Sequence, residues 1–288
     1  MRIGPRIGRA LLARHPCLLG LLAAGATLAP GAGAAGSVPR GSSSNWSGYS
    51  VTGQRFSSVG ASWVEPAANC IRHTTSSTDA SFWVGPGGDD PRAKNGEIEQ
   101  IGTDSDCGAD GTGYYYAWYE LWPAKSVSLR LSVLPGDRIS ASVHVVGSRV
   151  VLRLTDRTTG KAVTEERRIT IPDTSSAEWI AEAPAFELKH GEQISARTDF
   201  GTVSFSGVSA ATVRGHTGTI RDSAWRAGAI EFASGRHGRG ASPVSQFFDQ
   251  ATAARGVPSL PRGGGSAFSV TWEKGRPGAA GGAPAGTA

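Results

Sequence analysis

Polar and apolar side chains alternate in four consecutive runs between residues 127 and 171. A period of two residues places successive side chains on opposite faces of a β-strand, so each run predicts a strand with one apolar and one polar face. Two turn signals, Pro135-Gly136-Asp137 and Gly147-Ser148, separate the first three runs. The runs therefore predict an antiparallel meander that covers a core on one side.

The segment 96–104 has the alternating, β-branched composition of a short strand between a Gly-rich loop and a turn-rich loop. On such a strand Gln100 faces the side opposite Glu97 and Glu99. An uncharged amide among carboxylates is an uncommon feature, although a surface strand with solvated charges accounts for it as well.

The segment 114–122 is the most aromatic part of the chain. Alternation places four aromatic side chains and Glu120 on one face, which is typical of the wall of a binding cleft. A core face with one paired acid is the alternative. The four aromatic residues are Tyr114, Tyr116, Trp118 and Trp122.

Residues 176–182 fit either a strand or a helical turn with exposed acids. As a strand, the segment places Glu178, Ile180 and Glu182 on one face and Trp179 on the other. The chain has 40 glycines and 16 prolines in 288 residues, which suits many short strands joined by turns. The sequence therefore predicts an all-β fold, an antiparallel β-sandwich of two sheets.

The first 34 residues predict a secretory signal peptide. Four arginines precede an apolar run over 17–29, and Ala32-Gly33-Ala34 offers a cleavage site. The apolar run is short for a membrane span, and an uncleaved anchor is the alternative. After the signal peptide we expect a linker over 35–44, one domain over 45–273, and a disordered Gly/Ala/Pro tail over 274–288.

The formal net charge of +5 comes mostly from the predicted signal peptide. Four of the 29 basic residues lie in 1–34, which holds no acid, so 25 basic residues stand against 24 acidic residues in the remainder. A nearly neutral chain gives no basis for nucleic-acid binding. We expect a secreted, extracellular protein without stable membrane association once the signal peptide is removed.

Two cysteines, Cys70 and Cys107, remain outside the predicted signal peptide. In an exported protein an even pair predicts a disulfide, and two free thiols are the alternative. The bridge would close a loop that carries Trp83 and Gln100.

Sequence signatures of several hydrolase classes are missing. The chain has no G-x-S-x-G, no H-E-x-x-H and no D-[TS]-G motif. The five histidines outside 1–34 are scattered without metal-ligand spacing, so we expect no metal and no cofactor. Carboxylates remain as the candidates for acid–base chemistry.

Six segments, taken together and in order, resemble the glutamic peptidases, also called eqolisins. Each motif alone is weak, but six in order with similar spacing are specific, and they cover roughly residues 45–273. The segments are Asn45-Trp46-Ser47-Gly48, Trp83-Val84-Gly85, Glu99-Gln100-Ile101-Gly102-Thr103-Asp104, Ala117-Trp118-Tyr119-Glu120-Leu121-Trp122-Pro123, Ala177-Glu178-Trp179-Ile180 and Asp199-Phe200-Gly201-Thr202-Val203-Ser204-Phe205.

The resemblance implies an endopeptidase on a concanavalin A-like lectin/glucanase sandwich, with its site on the concave face of one sheet. By motif match, Gln100 and Glu178 are the catalytic pair. A carboxylate can act first as base and then as acid, and an amide N–H can stabilise an oxyanion without titrating. Ordinary polar sheet residues are the alternative for this pair. The implied substrate-binding residues are Trp46, Trp83, Asp104, Trp118 and Glu120.

The chain departs from the family pattern at two positions near these motifs. Gly87 stands where the family usually has an aspartate, with Asp89 following in a longer loop, and Tyr116 replaces a second aspartate. These changes leave the catalytic pair intact and bear on substrate preference and pH optimum. We expect a monomer that acts on polypeptides with an acidic optimum, below pH ~6.

Two other functions fit a lectin-like sandwich. A glycoside hydrolase would use paired carboxylates about 5–5.5 Å apart, and Glu97 and Glu99 alternate in the required way, although on the face opposite Gln100. A carbohydrate-binding module would use Tyr116, Trp118 and Trp122 without catalysis. Because fold alone cannot separate these functions, incubation with denatured casein and with a β-glucan would distinguish them.

Overall fold

The computed structural model describes residues 38–71, 76–90, 97–188, 191–233 and 254–274. The predicted signal peptide, 1–34, and residues 275–288 of the predicted tail lie outside the described residues. The strands are β1 Arg40–Ser43, β2 Trp46–Thr52, β3 Phe56–Val64, β4 Ser81–Pro86, β5 Ile98–Cys107, β6 Gly113–Trp122, β7 Val127–Ser132, β8 Arg138–Val146, β9 Arg149–Asp156, β10 Ala162–Arg168, β11 Ser176–Glu182, β12 Ala185–Leu188, β13 Gly191–Ile194, β14 Thr202–Thr212, β15 Thr217–Gly218, β16 Arg226–Ala233, β17 Arg255–Pro258 and β18 Ala267–Glu273.

The strands form two packed layers. The front layer has the order β16-β2-β11-β4-β5-β6-β7, and the back layer has the order β10-β9-β8-β3-β14-β18. Strand β17 pairs with β16 and with β18, so one hydrogen-bonded path runs through both layers. The pairs along this path are antiparallel, and β1 adds to β16 in parallel. The antiparallel sandwich predicted from the sequence is confirmed, with β17 as the connection between its sheets.

The core between the layers is built from the faces that alternation predicts. The Trp179 indole N–H donates to the carbonyl oxygen of Gly60 over 3.0 Å, and the Trp63 indole N–H donates to Thr103 Oγ1 over 3.0 Å. Each indole therefore buries its rings while its polar group is satisfied across the core. Other fully buried aromatic residues of the core are Tyr49, Phe56, Phe82, Phe205 and Phe268.

The predicted meander over 127–171 is correct for three strands and wrong for the first. Strands β8, β9 and β10 pair in sequence, with the turn at Gly147-Ser148, but β7 pairs with β6 in the front layer. The turn at 135–137 therefore crosses between layers. Backbone hydrogen bonds between this turn and Glu65, from Gly136 N to Glu65 O (2.8 Å) and from Glu65 N to Asp137 O (2.8 Å), replace hairpin pairing.

Strand β5 continues to Cys107, beyond the predicted loop start at Asp104. Tertiary hydrogen bonds stabilise the extra residues. Ser105 Oγ donates to Glu65 Oε1 over 2.7 Å, and Asp106 accepts a hydrogen bond from the Ala80 backbone N–H over 3.1 Å. Polar residues that resemble a loop thus lie in a fully paired strand, because their partners come from distant segments.

Residues 176–182 form a strand and not a helical turn, since β11 pairs along its length with β2 and β4. Trp179 points into the core, as the alternation predicts. Residues 40–43, which fall in the predicted linker, form β1. Among the described residues no helix is long and apolar enough to cross a membrane.

Candidate active site

A single row of side chains crosses the outer face of the front layer. The strand register places Glu178 beside Ser50 on one neighbouring strand and beside Gly85 on the other. Gly85 in turn adjoins Gln100, and Gln100 pairs with Glu120. The two predicted catalytic residues thus lie on the same face, two strands apart, with one glycine between them.

Gly85 leaves the position between Glu178 and Gln100 without a side chain. A Cβ atom on Gly85 would lie 2.5 Å from the carbonyl oxygen of Glu99 and 3.1 Å from the Cβ atom of Gln100. Real Cβ atoms do not approach a backbone oxygen this closely, so strands β4 and β5 can keep their spacing only with glycine here. Gly85 and Glu178 are buried and do not themselves line the cleft.

The Gln100 side chain is held by its neighbour in the row. Gln100 Nε2 donates to Glu120 Oε2 over 2.6 Å, and Gln100 is 5% exposed. An amide nitrogen carries two hydrogens, so one N–H remains for another acceptor. Gln100 Oε1 has no hydrogen-bond partner among the described residues. Glu120 therefore fixes the orientation of the amide.

Glu178 is fully buried, and within the described residues no hydrogen bond to its carboxylate oxygens has ordinary geometry; the nearby Ser176 hydroxyl nevertheless favours its ionised form. Burial raises the pKa of Glu178 well above its ordinary value, and the negative charge of Asp89 acts in the same direction. A buried carboxyl group with an elevated pKa is a candidate for acid–base chemistry.

The next row of the same face holds two indoles, each fixed by the carboxyl group of an acidic residue. Trp83 Nε1 donates to Glu182 Oε2 over 2.7 Å, and Trp118 Nε1 donates to Asp104 Oδ1 over 2.5 Å. Burial raises the pKa of Glu182 to about 7 and also raises the pKa of Asp104. The two carboxyl groups thus hold the apolar floor beside the catalytic row.

This floor lies at the bottom of a cleft of about 1090 Å³. Trp46 packs edge-on against Trp83 with ring centroids 5.0 Å apart, and Trp83 itself has no exposed surface. Trp83, which the sequence predicts as a substrate-binding residue, therefore lies beneath Trp46 and not on the cleft surface. The predicted residues that do line the cleft are Trp46, Gln100, Asp104, Trp118 and Glu120.

Tyr116, one of the two departures from the family pattern, lies on the cleft wall and is 38% exposed. Its hydroxyl donates to Asp106 Oδ2 over 2.9 Å. Burial and the negative charge of Glu65 raise the pKa of Asp104, and burial and the negative charge of Asp104 raise the pKa of Asp106. Tyr116 therefore donates a hydrogen bond to a buried acid. An aspartate at this position would instead add a further negative charge.

The alternating acids considered for glycoside hydrolysis do not form a cleft pair. Glu99 is fully buried, accepts a hydrogen bond from the Asp173 backbone N–H over 3.3 Å, and has a pKa raised by burial to about 8. It lies on the face of β5 opposite Gln100. Within the described ranges, no group of three or more His, Cys, Asp or Glu side chains is arranged to hold a metal ion.

Cys70 and Cys107 form a disulfide with a Cα–Cα distance of 5.4 Å. The predicted pairing is thus confirmed. Cys107 is the last residue of β5, so the bridge ties the end of this strand to the segment that follows β3.

Two residues of the site were missed by the sequence reasoning. Ser50 and Asp89 both line the cleft at the Glu178 end of the row. No motif marks Ser50, and Asp89 lies in a loop whose course depends on tertiary contacts. Alternation along β2 from Trp46 could have placed Ser50 on the cleft face, because the two residues are four apart.

Comparison with known proteins identifies the family of the chain. A sequence model described as the Peptidase A4 family matches residues 44–234. No curated protein sequence gives a significant match.

Two solved structures share the fold. Scytalido-glutamic peptidase, crystallised with a transition state analog inhibitor, is 24% identical with a TM-score of 0.61, over 80% of this chain and 98% of that chain. SCP-B, a member of the eqolisin family crystallised with the tripeptide Ala-Ile-His, is 22% identical with a TM-score of 0.59, over the same shares of 80% and 98%. The family match spans most of the described sandwich, so the chain belongs to the peptidase A4 family and is a glutamic-type endopeptidase.

Proposed function

We propose that the protein hydrolyses peptide bonds of polypeptides with Glu178 as general base and acid and Gln100 as the donor to the oxyanion. The observation that carries this proposal is the row Glu178–Gly85–Gln100, in which Gly85 places no side chain between the two functional groups. A peptide carbonyl group over Gly85 would lie between a proton acceptor and a neutral hydrogen-bond donor.

In the first step, ionised Glu178 takes one proton from a water molecule, and the remaining hydroxide adds to the peptide carbonyl carbon. The carbonyl oxygen becomes an oxyanion, to which the Gln100 amide donates. In the second step, protonated Glu178 gives its proton to the amide nitrogen, and the C–N bond breaks as the C=O bond re-forms. The products are a carboxylic acid and an amine, and Glu178 is again ionised.

The hydrogen bond from Gln100 to Glu120 supports the assigned role of the amide. One N–H is committed to Glu120, which leaves the second N–H for the oxyanion in a fixed direction. A preorganised donor costs no reorganisation when charge develops, and such a donor contributes about 10²–10³ in kcat.

Relatives of the same fold support polypeptides as the substrate class. Scytalido-glutamic peptidase binds a peptide-based transition state analog, and SCP-B binds a tripeptide. In this chain Trp46 and Trp118 line the cleft beside the catalytic row, where they can contact an apolar side chain of a substrate.

We also propose an acidic pH optimum, below about pH 6. Activity rises as Glu178 ionises, and its elevated pKa places this acid limb above the ordinary glutamate value of about 4.3. At the alkaline side, ionisation of Glu182, whose pKa is about 7, puts a negative charge beneath the indole floor. Activity should be highest near the pKa of Glu178, because the group must be ionised to take a proton from water and protonated to assist the leaving amine.

Export remains a proposal that rests on the N-terminal sequence and on the disulfide, since disulfides persist in oxidising compartments. We propose a secreted monomer. Size-exclusion chromatography with light scattering, and N-terminal sequencing of the protein recovered from the culture medium, test these two points directly.

The enzymatic proposal is tested by digestion of denatured casein across pH 2–8 with wild type, Glu178→Gln and Gln100→Ala. Glu178→Gln keeps the shape of the side chain and should lose at least about 10²–10⁴-fold in turnover. Gln100→Ala should lower the whole profile by about 10²–10³-fold without moving its limbs, because an amide does not titrate. Wild-type cleavage by Glu178→Gln would exclude the assigned base, and release of sugar from a β-glucan instead of peptides would favour a glycoside hydrolase.

A further inference from the structure

We propose that Asp89 is a positioning residue for Glu178: Ser50 holds it beside the buried base, where its negative charge sets the pH range in which Glu178 exchanges its proton. The inference rests on the function proposed above and assigns a role to a residue that no motif marks.

The chain reaches this position through two consecutive glycines. Gly87 and Gly88 have φ angles of +94° and +96°, in the left-handed region that favours glycine. A Cβ atom on Gly87 would lie 2.3 Å from the carbonyl oxygen of Glu97, and one on Gly88 would lie 2.7 Å from the Ile98 side chain. The turn after β4 is therefore tight enough to carry Asp89 back over the front layer.

Hydrogen bonds fix this turn to the start of β11. Gly87 N donates to Ser176 O over 3.3 Å, and Asp89 N donates to Ser176 Oγ over 3.3 Å. Gly88 N donates to Asp173 Oδ2 over 3.4 Å. Because Ser176 is two residues before Glu178 on the same strand face, the backbone of Asp89 is tied to the element that carries the base.

Ser50 fixes the side chain of Asp89. Ser50 is the cross-strand partner of Glu178, and directly opposed residues have Cβ atoms about 4.5–5.5 Å apart. Ser50 Oγ donates a short hydrogen bond to Asp89 Oδ2, and Ser50 is 2% exposed. The carboxylate of Asp89 is thus held at the Glu178 end of the catalytic row, where it lines the cleft and Glu178 does not.

Three carboxylates raise the pKa of Glu178 through their negative charge. Asp89 contributes the largest electrostatic effect, followed by Asp173 before β11 and Glu99 on β5. No ion pair joins any of these three carboxylates to a basic residue described in the structure. Glu182 and Glu120 lie further along the same face.

A second negative charge raises the proton affinity of a carboxylate, because it disfavours another ionisation nearby. Burial and Asp90 raise the pKa of Asp89, and the Ser50 hydroxyl opposes this effect. Ser50 therefore helps to keep Asp89 ionised while Glu178 exchanges its proton. A base with greater proton affinity takes a proton from water more readily and holds it for the leaving amine.

The test is the pH profile of kcat/KM on a soluble peptide for wild type, Asp89→Asn, Ser50→Ala and the double variant. Asp89→Asn should move the acid limb down by about one pH unit, since it removes the strongest neighbouring negative charge. Ser50→Ala should give a smaller shift in the same direction, and the double variant should match Asp89→Asn. Glu273→Gln removes an exposed carboxylate at the end of β18 and should leave the profile unchanged.

An acid limb at the wild-type position in Asp89→Asn would overturn the inference, as would equal shifts from Ser50→Ala in the presence and absence of Asp89. A loss as large as that of Glu178→Gln at every pH would also overturn it, because Asp89 would then be a base itself. If Asp89→Asn does not fold, as judged by urea unfolding at pH 4.5, the acid limb of Ser50→Ala is the test. A downward shift of that limb supports the inference, and an unchanged limb overturns it. Failure of the proposed function is separate, since Glu178→Gln would then remain active.

Discussion

Replacement of Glu65 by glutamine should make the folded state less sensitive to pH. Glu65 follows β3, is 1% exposed, and lies inside the sandwich. Its carboxyl oxygens accept hydrogen bonds from Ser105 Oγ (2.7 Å), Thr103 Oγ1 (2.5 Å) and Trp63 Nε1 (3.2 Å). Burial outweighs these three bonds and raises the pKa of Glu65 from 4.5 to about 7.

The size of the effect follows from linkage between proton binding and folding. The folded pKa exceeds the unfolded value, so the native state binds the proton more tightly, and the stabilisation is complete below about pH 4.5. It is lost as the pH rises through about 7. At about 1.4 kcal/mol per pKa unit, the change from 4.5 to about 7 corresponds to about 3 kcal/mol.

The measurement is urea unfolding, followed by tryptophan fluorescence, at several pH values from 4.5 to 8. Wild type should lose about 3 kcal/mol more than Glu65→Gln across this range, because glutamine cannot ionise. Buried acids remote from Glu65 are common to both proteins and cancel in the difference, whereas Asp104, whose pKa the Glu65 charge raises, changes the difference in the same direction. Glu273→Gln, which changes an exposed acid, should run parallel to wild type. Parallel curves for Glu65→Gln and wild type would show that Glu65 is already ionised in the folded protein.

Three further predictions follow from the site and the disulfide. Gly85→Ala should abolish most turnover and lower the free energy of unfolding by about 1–3 kcal/mol, because its Cβ atom would overlap the Glu99 carbonyl oxygen; normal casein cleavage would contradict this. Trp118→Ala should raise KM more than it lowers kcat, whereas an unchanged KM with lower kcat would assign Trp118 to the transition state. Reduction of Cys70–Cys107 should lower the free energy of unfolding by up to about 4 kcal/mol, and thiol titration of the unfolded, unreduced protein should find no free cysteine.

Alternation was sufficient to predict which side chains share a face. A period of two separates Gln100 from Glu97 and Glu99 and puts Glu120 on the face of Trp118, and the register makes Gln100 and Glu120 cross-strand partners. Trp179 was assigned to the opposite face of β11 from Glu178, and the structure buries it in the core. These are local properties of a strand, so they do not depend on which strands become neighbours.

Strand partners and strand ends could not be predicted in the same way. The turn at Asp137 bonds to Glu65, some seventy residues earlier, and therefore sends β8 to the back layer instead of back along β7. Likewise, Asp106 remains in β5 because Ala80 and Tyr116 supply its hydrogen bonds. Both outcomes depend on contacts between distant segments. The alternation of polar and apolar residues along one strand carries no information about such contacts.

Glycines in three of the motifs let the strands of the front layer approach closely. Gly48, Gly85 and Gly102 belong to three different segments, yet all three lie on the cleft face of adjacent parts of the front layer. A Cβ atom on them would lie 2.1, 2.5 and 2.3 Å, respectively, from a backbone oxygen of a neighbouring strand. The strands can therefore lie this close together only because these three positions have no side chain. The Trp83 and Trp118 indoles lie next to these glycines. A side chain that separates the strands would therefore also displace the two indoles, and with them the floor of the cleft.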